Sequence, residues 1–96
     1  MLFQVQMQVN PPHNLDPARF EELKLAEKRL AQTLQREGKW RHLWRVVGQY
    51  RNTSIFDVAD NNELHDILTS LPLYAFMQIE IIPLCRHPSS IHQDDR

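Results

Sequence analysis

Apolar and polar side chains alternate from Phe3 to Val9, with glutamine at every intervening position. A period of two is typical of a β-strand that buries one face. Asn10-Pro11-Pro12 follows directly, and proline cannot donate a hydrogen bond to a neighbouring strand. The pattern therefore predicts a first strand over residues 2–9.

A helical pattern occupies the next part of the chain. Asp16 can accept hydrogen bonds from the free amides of a first turn, and Pro17 suits the first helical position. Gly38 supplies a stop after about Glu37. Glu27 lies within the apolar stripe of this helix, where a carboxylate is costly unless it has a partner. The apolar stripe contains Phe20, Leu23, Leu30 and Leu34.

Residues 40–47 and 50–58 form two further predicted strands, joined at Gly48-Gln49. A two-residue loop with glycine at its first central position is a common hairpin turn. The hairpin carries aromatic, cationic and amide side chains where a purely structural hairpin would use valine, isoleucine and leucine. Such a composition suggests a pocket for a small, flat, anionic ligand. The side chains concerned are Trp40, His42, Trp44, Arg45, Tyr50 and Asn52.

The remaining elements complete a β-α-β-β-α-β order. Asp60-Asn61-Asn62 caps a predicted helix over about 62–71, and residues 75–82 form the last predicted strand. This order is that of the ferredoxin-like α+β fold, a four-stranded antiparallel sheet with both helices on one face. We expect a single domain over residues 1–96, in which 83–96 form a C-terminal arm that docks on a neighbouring subunit.

The predicted strands carry apolar residues on both sheet faces. Leu43 and Val47 lie on one side of the hairpin, and Trp44 and Val46 lie on the other. An apolar sheet face that the helices do not cover needs another partner. The pattern therefore favours a dimer that packs sheet against sheet.

Composition narrows the functional classes. The formal net charge is −1, which leaves no basic footprint for nucleic acid. No apolar run reaches the ~18 residues of a membrane span, and the N-terminus lacks the features of a signal peptide. Cys85 is the only cysteine, which excludes an internal disulfide and fits a reducing compartment. We therefore expect a cytoplasmic protein that binds neither nucleic acid nor membrane.

Four segments carry a resemblance to a known family: LQREGKWRHLWRVVGQY, SIFDV, LHDILTSLPL and the ending LCRHPSSIHQDDR. Through them the whole chain resembles the muconolactone Δ-isomerase family of bacterial aromatic catabolism, in the 3-oxoadipate branch of catechol degradation. The resemblance implies a dimeric α+β barrel whose dimers assemble to a decamer. It also implies a cofactor-free isomerase that converts (S)-muconolactone to 3-oxoadipate enol-lactone. A chloromuconolactone dehalogenase, with the same fold and a related lactone substrate, is the closest alternative.

The implied reaction moves a proton. Removal of the C4 hydrogen of the lactone gives a dienolate, and protonation at C2 then shifts the double bond. This needs one base that reaches both carbons, donors for the oxyanion and a cation for the side-chain carboxylate. Glu27 is the expected base, since burial raises the pKa of a carboxylate toward the working range. The alternative is that Glu27 only forms a structural bridge to a strand arginine.

Arg45 is the expected cation, because a guanidinium makes a bidentate match to a carboxylate. Its alternative role is a salt bridge at an interface. Tyr50 and Asn52 are the expected donors to the oxyanion or the carboxylate. A two-residue loop would pair Arg45 with Asn52 and bring these side chains to one sheet face, below Glu27.

His42 and Trp44 are further candidates whose position depends on the hairpin loop. A loop one residue longer would pair Trp44 with Ser54 and place His42 on the pocket side. His42 is a second candidate base, because histidine as a residue type can accept and donate a proton near neutral pH. Trp44 is expected either to stack on the lactone or to belong to the core or an interface.

Other functional classes have weaker support. His87, His92 and Cys85 match no zinc spacing, so we expect no metal site. A non-catalytic dimeric α+β barrel that binds an aromatic acid would have no need for a buried Glu27. A heme-linked or quinol monooxygenase on the same fold is a third possibility, although its relatives use other pocket residues.

Overall fold

The computed structural model describes residues 1–95, which contain four strands and two helices in the predicted order. The strands are β1 (Leu2–Val9), β2 (Trp40–Arg45), β3 (Arg51–Asp57) and β4 (Met77–Leu84). The helices are α1 (Pro17–Arg36) and α2 (Asn61–Ser70), and a 3-10 turn (Tyr74–Phe76) precedes β4. The ferredoxin-like β-α-β-β-α-β architecture is therefore confirmed.

The four strands form one antiparallel sheet in the order β2-β3-β1-β4. β1 lies in the centre, where Val5 pairs with Ser54 of β3 on one side and with Ile81 of β4 on the other. Residues from both helices join the same apolar cluster, so both helices cover the same sheet face. The cluster contains Phe3, Val5, Met7, Ala31, Leu34, Trp40, Phe56, Val58, Leu64, Ile67, Leu68 and Leu71.

Both helices begin at the predicted capping residues, and α2 (Asn61–Ser70) lies one residue earlier at each end than the predicted 62–71. Asp16 accepts a hydrogen bond from the first turn of α1. At α2, the Asp60 carboxylate accepts from the Glu63 N–H at 2.8 Å, a bond that satisfies one of the free amides of the first turn. α1 stops before Gly38, whose φ of +80° favours glycine. Within residues 1–95, neither helix is long and apolar enough to cross a membrane.

The last strand begins and ends two residues later than predicted. The prediction placed it at 75–82, whereas β4 spans Met77–Leu84. The 3-10 turn over Tyr74–Phe76 delays its start. Pro83 is tolerated inside β4 because β4 is an edge strand, which leaves one side free of ladder hydrogen bonds. The segment after the sheet consequently begins at Cys85.

The hairpin adopts the register expected for a two-residue loop, with Arg45 opposite Asn52. Both strands are shorter than predicted. In the connecting turn, the N–H of Gln49 donates to the carbonyl of Val46 at 3.1 Å. Gly48 therefore occupies the second central position, where its φ of +78° suits a turn that requires glycine there. The predicted first central position for this glycine was wrong.

A β-bulge between Trp40 and His42 changes the side to which successive residues of β2 point. Trp40 lies on the helix-covered face together with Leu43 and Arg45, all three lining one cleft. His42 and Trp44 lie on the outer face, where their rings stack with centroids 4.9 Å apart. The bulge thus decides which hairpin side chains reach the interior.

The outer sheet face remains partly apolar in the single chain. Trp44 is 54% exposed, and Ile82 is also exposed. Arg51 donates hydrogen bonds to Gln6 and Gln8 across the neighbouring strand. This surface is the one from which a sheet-to-sheet dimer was predicted, and that dimer stays a prediction.

The C-terminal segment folds against its own chain. Arg41 forms an ion pair with Asp94 at 2.8 Å. Arg86 donates to the carbonyl of Ser90 at 2.9 Å and to the carbonyl of His92 at 3.0 Å, which closes the segment into a loop. Docking of this arm on a neighbouring subunit stays a prediction.

Candidate active site

A cleft of about 380 Å³ lies between α1 and the hairpin formed by β2 and β3. Apolar side chains such as Val9, Ala31 and Met77 form part of its lining. Its polar wall combines one carboxylate with three cations, three amides and a phenol. This polar wall consists of Lys24, Glu27, Lys28, Gln32, Gln35, Arg45, Tyr50 and Asn52. The predicted base, cation and two donors therefore share one cleft.

A larger groove of about 550 Å³ lies between α2 and β4. Its lining is mostly apolar, with residues such as Phe3, Leu68 and Ile81. Its titratable side chains are His65 and Tyr74, and the described part of its lining includes no carboxylate. The smaller cleft is the better candidate for an active site, because it concentrates the groups that can transfer a proton or hold an anion.

Glu27 points from α1 into the cleft, and one of its two carboxylate oxygens accepts a hydrogen bond. Its Oε1 accepts a hydrogen bond from the Leu73 N–H at 2.9 Å. Its Oε2 is buried and has no hydrogen-bond partner among residues 1–95. Burial raises the pKa of Glu27 above its usual range, and the Leu73 hydrogen bond opposes part of this effect. The arrangement leaves one carboxylate oxygen buried in the cleft wall without a hydrogen-bond partner in the described chain.

A stability measurement can detect the raised pKa of Glu27. Because the folded-state pKa exceeds the unfolded value, the stabilising contribution is complete below the ordinary pKa of 4.5 and is lost as pH rises through the folded pKa. Glu27→Gln keeps an acceptor for Leu73 and removes the buried charge. We expect this variant to have a higher Tm than wild type at neutral pH, with a difference that shrinks as pH falls through the folded-state pKa and is smallest below 4.5.

The Tm of each variant is measured across this pH range by thermal unfolding, with circular dichroism as the signal. Glu22→Gln is the matched control, because Glu22 lies on the exposed side of α1 and pairs with Arg19 at 3.1 Å. The control is expected to show no such gain in Tm at neutral pH. A gain for Glu27→Gln that is equal at neutral and acidic pH would contradict a raised pKa.

The three cationic side chains of the cleft differ in the contacts that they make with the rest of the chain. Lys24 pairs with Glu21 at 2.6 Å. Arg45 extends over the ring of Tyr50, with its guanidinium carbon 5.3 Å from the ring centroid. Lys28 forms no ion pair with the rest of the described chain. None of the three pairs with Glu27, so the structural bridge to a strand arginine is not found in residues 1–95.

The amide of Asn52 is oriented by a buried hydroxyl. Ser54 is fully buried, and its Oγ donates to Asn52 Oδ1 at 2.8 Å. Because this bond occupies the amide oxygen, the amide nitrogen is the group left to donate. Tyr50 also lines the cleft and is 40% exposed. Both side chains are therefore placed to donate to a bound ligand.

His42 and Trp44 do not line the cleft. They lie on the outer sheet face, as a result of the bulge in β2. Their position within one chain therefore gives no support to a catalytic role for His42 or a substrate contact for Trp44. In the described range 1–95, no cluster of three or more histidine, cysteine, aspartate or glutamate side chains has metal-binding geometry.

Two features of the cleft were not predicted from the sequence. The first is the Leu73 N–H, which meets Glu27 only because the segment after α2 folds back beneath α1. The second is the Trp40 indole, whose buried Nε1 has no hydrogen-bond partner within residues 1–95. Such an unpaired buried donor costs about 1–3 kcal/mol. Nothing in the sequence around Trp40 indicated that this indole N–H would be unpaired.

The fold and the cleft define a ferredoxin-like α+β protein with a site suited to moving a proton on a small anion. A family model described as muconolactone delta-isomerase matches residues 1–90. The chain belongs to the muconolactone Δ-isomerase family.

Individual relatives agree over the full length. Muconolactone Delta-isomerase of Pseudomonas aeruginosa is 59% identical over 96 residues, with all of both chains covered. The protein of that name from Rhodococcus opacus is 52% identical over 90 residues, which cover 94% of this chain and 97% of the relative. A crystal structure of muconolactone isomerase matches with a TM-score of 0.94 at 59% identity, again over all of both chains.

Proposed function

We propose that the protein is an isomerase that converts (S)-muconolactone to 3-oxoadipate enol-lactone. One observation carries the proposal: Glu27 keeps a buried, unpaired oxygen in a cleft that also holds cations and oriented donors. Relatives 52–59% identical to the chain carry the name of this activity. Such a cleft meets the three needs of the reaction, namely a base, donors and a cation.

Glu27 acts as the proton carrier. Its Oε2 takes the proton from C4 of the lactone, and the electron pair of the broken C–H bond delocalises over the ring as a dienolate. The same carboxyl then returns a proton to C2, which completes the shift of the double bond. The raised pKa brings Glu27 closer to the range in which a carboxyl both accepts and donates a proton at neutral pH. No step in this scheme calls for a cofactor or a metal.

Arg45 binds the carboxylate of the lactone side chain, and Tyr50 and Asn52 assist as hydrogen-bond donors. The guanidinium lies at the cleft wall on the strand that faces α1. Its hydrogen bond to the carbonyl of Gln49, at 3.4 Å, and its contact with the Tyr50 ring keep it on the hairpin side. A carboxylate that approaches from solvent would meet a bidentate donor there.

Arg45→Met is expected to weaken substrate binding. A hydrogen bond to a charged group contributes about 1.5–3 kcal/mol, so we expect kcat/KM to fall about 10- to 100-fold, mostly through KM. Steady-state kinetics with (S)-muconolactone measure the effect. Arg29→Met is the matched control, because Arg29 lies on α1 outside the cleft lining. An unchanged KM in Arg45→Met would move the carboxylate contact to another cation, with Lys28 next.

The proposal is tested with purified protein and two lactones. Incubation with (S)-muconolactone should yield the enol-lactone at a rate proportional to enzyme concentration. Incubation with a chloromuconolactone tests for chloride release, the reaction of the dehalogenase alternative. No turnover of either lactone by folded protein would favour the non-catalytic binding module.

The assembly and location belong to the same proposal. The protein forms homodimers that pack sheet to sheet and assemble to a decamer, and it works in the cytoplasm as a single domain in aromatic catabolism. Trp44 on β2 and Ile82 on β4 are both exposed on the outer sheet face, and a sheet-to-sheet contact would cover these apolar side chains. The formal net charge of −1 is consistent with a small-molecule substrate rather than nucleic acid.

A further inference from the structure

The Trp40 indole is held rigidly but its N–H is unused. Trp40 is 2% exposed at the start of β2, and its ring stacks on Phe56 with centroids 4.8 Å apart. Its Nε1 is buried and finds no acceptor in residues 1–95. Buried tryptophan N–H groups usually have a hydrogen-bond partner. An exception inside a cleft that holds a free carboxylate oxygen points to an acceptor that arrives with a ligand.

The two unpaired buried side-chain atoms of the described chain are complementary and line the same cleft. Glu27 Oε2 is an acceptor without a donor, and Trp40 Nε1 is a donor without an acceptor. They are not hydrogen-bonded to each other. A ligand that gives a proton to the first and presents an oxygen to the second would satisfy both. A lactone with an acidic C–H conjugated to its carbonyl has these two features.

We propose that the Trp40 N–H donates a hydrogen bond to the carbonyl oxygen of the lactone and stabilises the dienolate. This inference rests on the proposed isomerase function. When Glu27 Oε2 removes the C4 proton, the C–H electron pair moves into the conjugated system and negative charge develops on the carbonyl oxygen. The indole N–H stays intact and stabilises that charge. When C2 takes the proton back from Glu27, the charge and the stronger hydrogen bond disappear.

Trp40 fits this role better than the more exposed donors of the cleft. A donor stabilises a developing charge most when it is fixed in advance and shielded from water. Stacking on Phe56 fixes the indole, whereas Tyr50 is 40% exposed. Because Nε1 is buried, the lactone must displace a wall side chain to reach it. Leu43 is an apolar side chain of the same cleft wall and is 38% exposed.

A binding experiment tests the contact without altering the protein. The saturated lactone analogue 4-carboxymethylbutanolide keeps the carbonyl and the carboxylate but has no double bond to shift. In a ¹H–¹⁵N spectrum, the indole N–H resonance of Trp40 is expected to move downfield on addition of the analogue, while that of Trp44 stays in place. Trp44→Phe assigns the two resonances. Saturating binding with no change at Trp40 would overturn the contact.

A kinetic experiment tests the catalytic role. Site-specific incorporation of benzothienylalanine at position 40 replaces the N–H by sulfur and preserves the ring shape. We expect kcat for (S)-muconolactone to fall on the order of 10²-fold with little change in KM, as for the loss of one oxyanion donor. The same replacement at position 44 is the control. A kcat within about threefold of wild type at position 40 would overturn the inference while leaving the isomerase function intact. An inactive wild-type protein would instead overturn the proposed function and this inference together.

Discussion

Glu27→Gln is expected to lower kcat for muconolactone isomerisation by roughly 10³- to 10⁴-fold, near the upper end of what a general acid–base residue contributes. The amide cannot accept the C4 proton, although it still accepts the hydrogen bond that the Leu73 N–H gives to Oε1. The variant side chain therefore keeps its position in the cleft but cannot carry the proton. Steady-state kinetics on the purified variant measure the effect.

The control for this result is Glu22→Gln on the exposed side of α1. It makes the same chemical change on the same helix outside the cleft, and activity close to that of wild type is expected. A mild slowing of Glu27→Gln, by less than about tenfold, would mean that another group carries the proton. His42 would then be the next candidate, which would require the outer sheet face to meet a cleft of a second subunit.

Phe56→Ala is expected to have the largest effect on stability. Phe56 is fully buried in β3, pairs with Phe3 of the central strand and supports the Trp40 ring. Truncation of such a phenylalanine costs about 3–5 kcal/mol, a large part of the 5–15 kcal/mol that typically holds a domain together. For a domain of this size, the expected fall in Tm is roughly 10 °C or more.

Denaturant unfolding of the wild-type protein and of Phe56→Ala measures this difference in the free energy of unfolding. Val47→Ala is the control, because Val47 is 93% exposed in the hairpin turn and its change is expected to stay within about 0.5 kcal/mol. A loss of unfolding free energy below about 1 kcal/mol in Phe56→Ala would contradict the placement of Phe56 in a tightly packed core.

The sequence predicts most of the fold because its signals are local. The alternation in β1 and the capping residues Asp16 and Asp60 each act within a few positions of the element that they define. The continuation of β4 past Pro83 was missed, since the predicted strand ended at residue 82. Only the order of the strands in the sheet shows that this proline lies on an edge strand.

The candidate site is less predictable because it depends on contacts between distant residues. Glu27 is visible in the sequence as a carboxylate in an apolar stripe, but its contact with Leu73 spans 46 positions. The bulge after Trp40 leaves no clear mark in the letters, yet it sends Trp40 inward and His42 outward. An error of one residue in a strand exchanges the two sheet faces, so the roles of these side chains required the structure.

The most direct test of the proton shift is a proton NMR time course of (S)-muconolactone with the wild-type protein in D₂O. The C4 proton signal should disappear and the enol-lactone should appear in proportion to enzyme, with deuterium from solvent entering at C2 whenever the carboxyl exchanges before it returns its proton. An unchanged spectrum in the presence of folded protein would contradict the assignment of Glu27 and its cleft as an isomerase site.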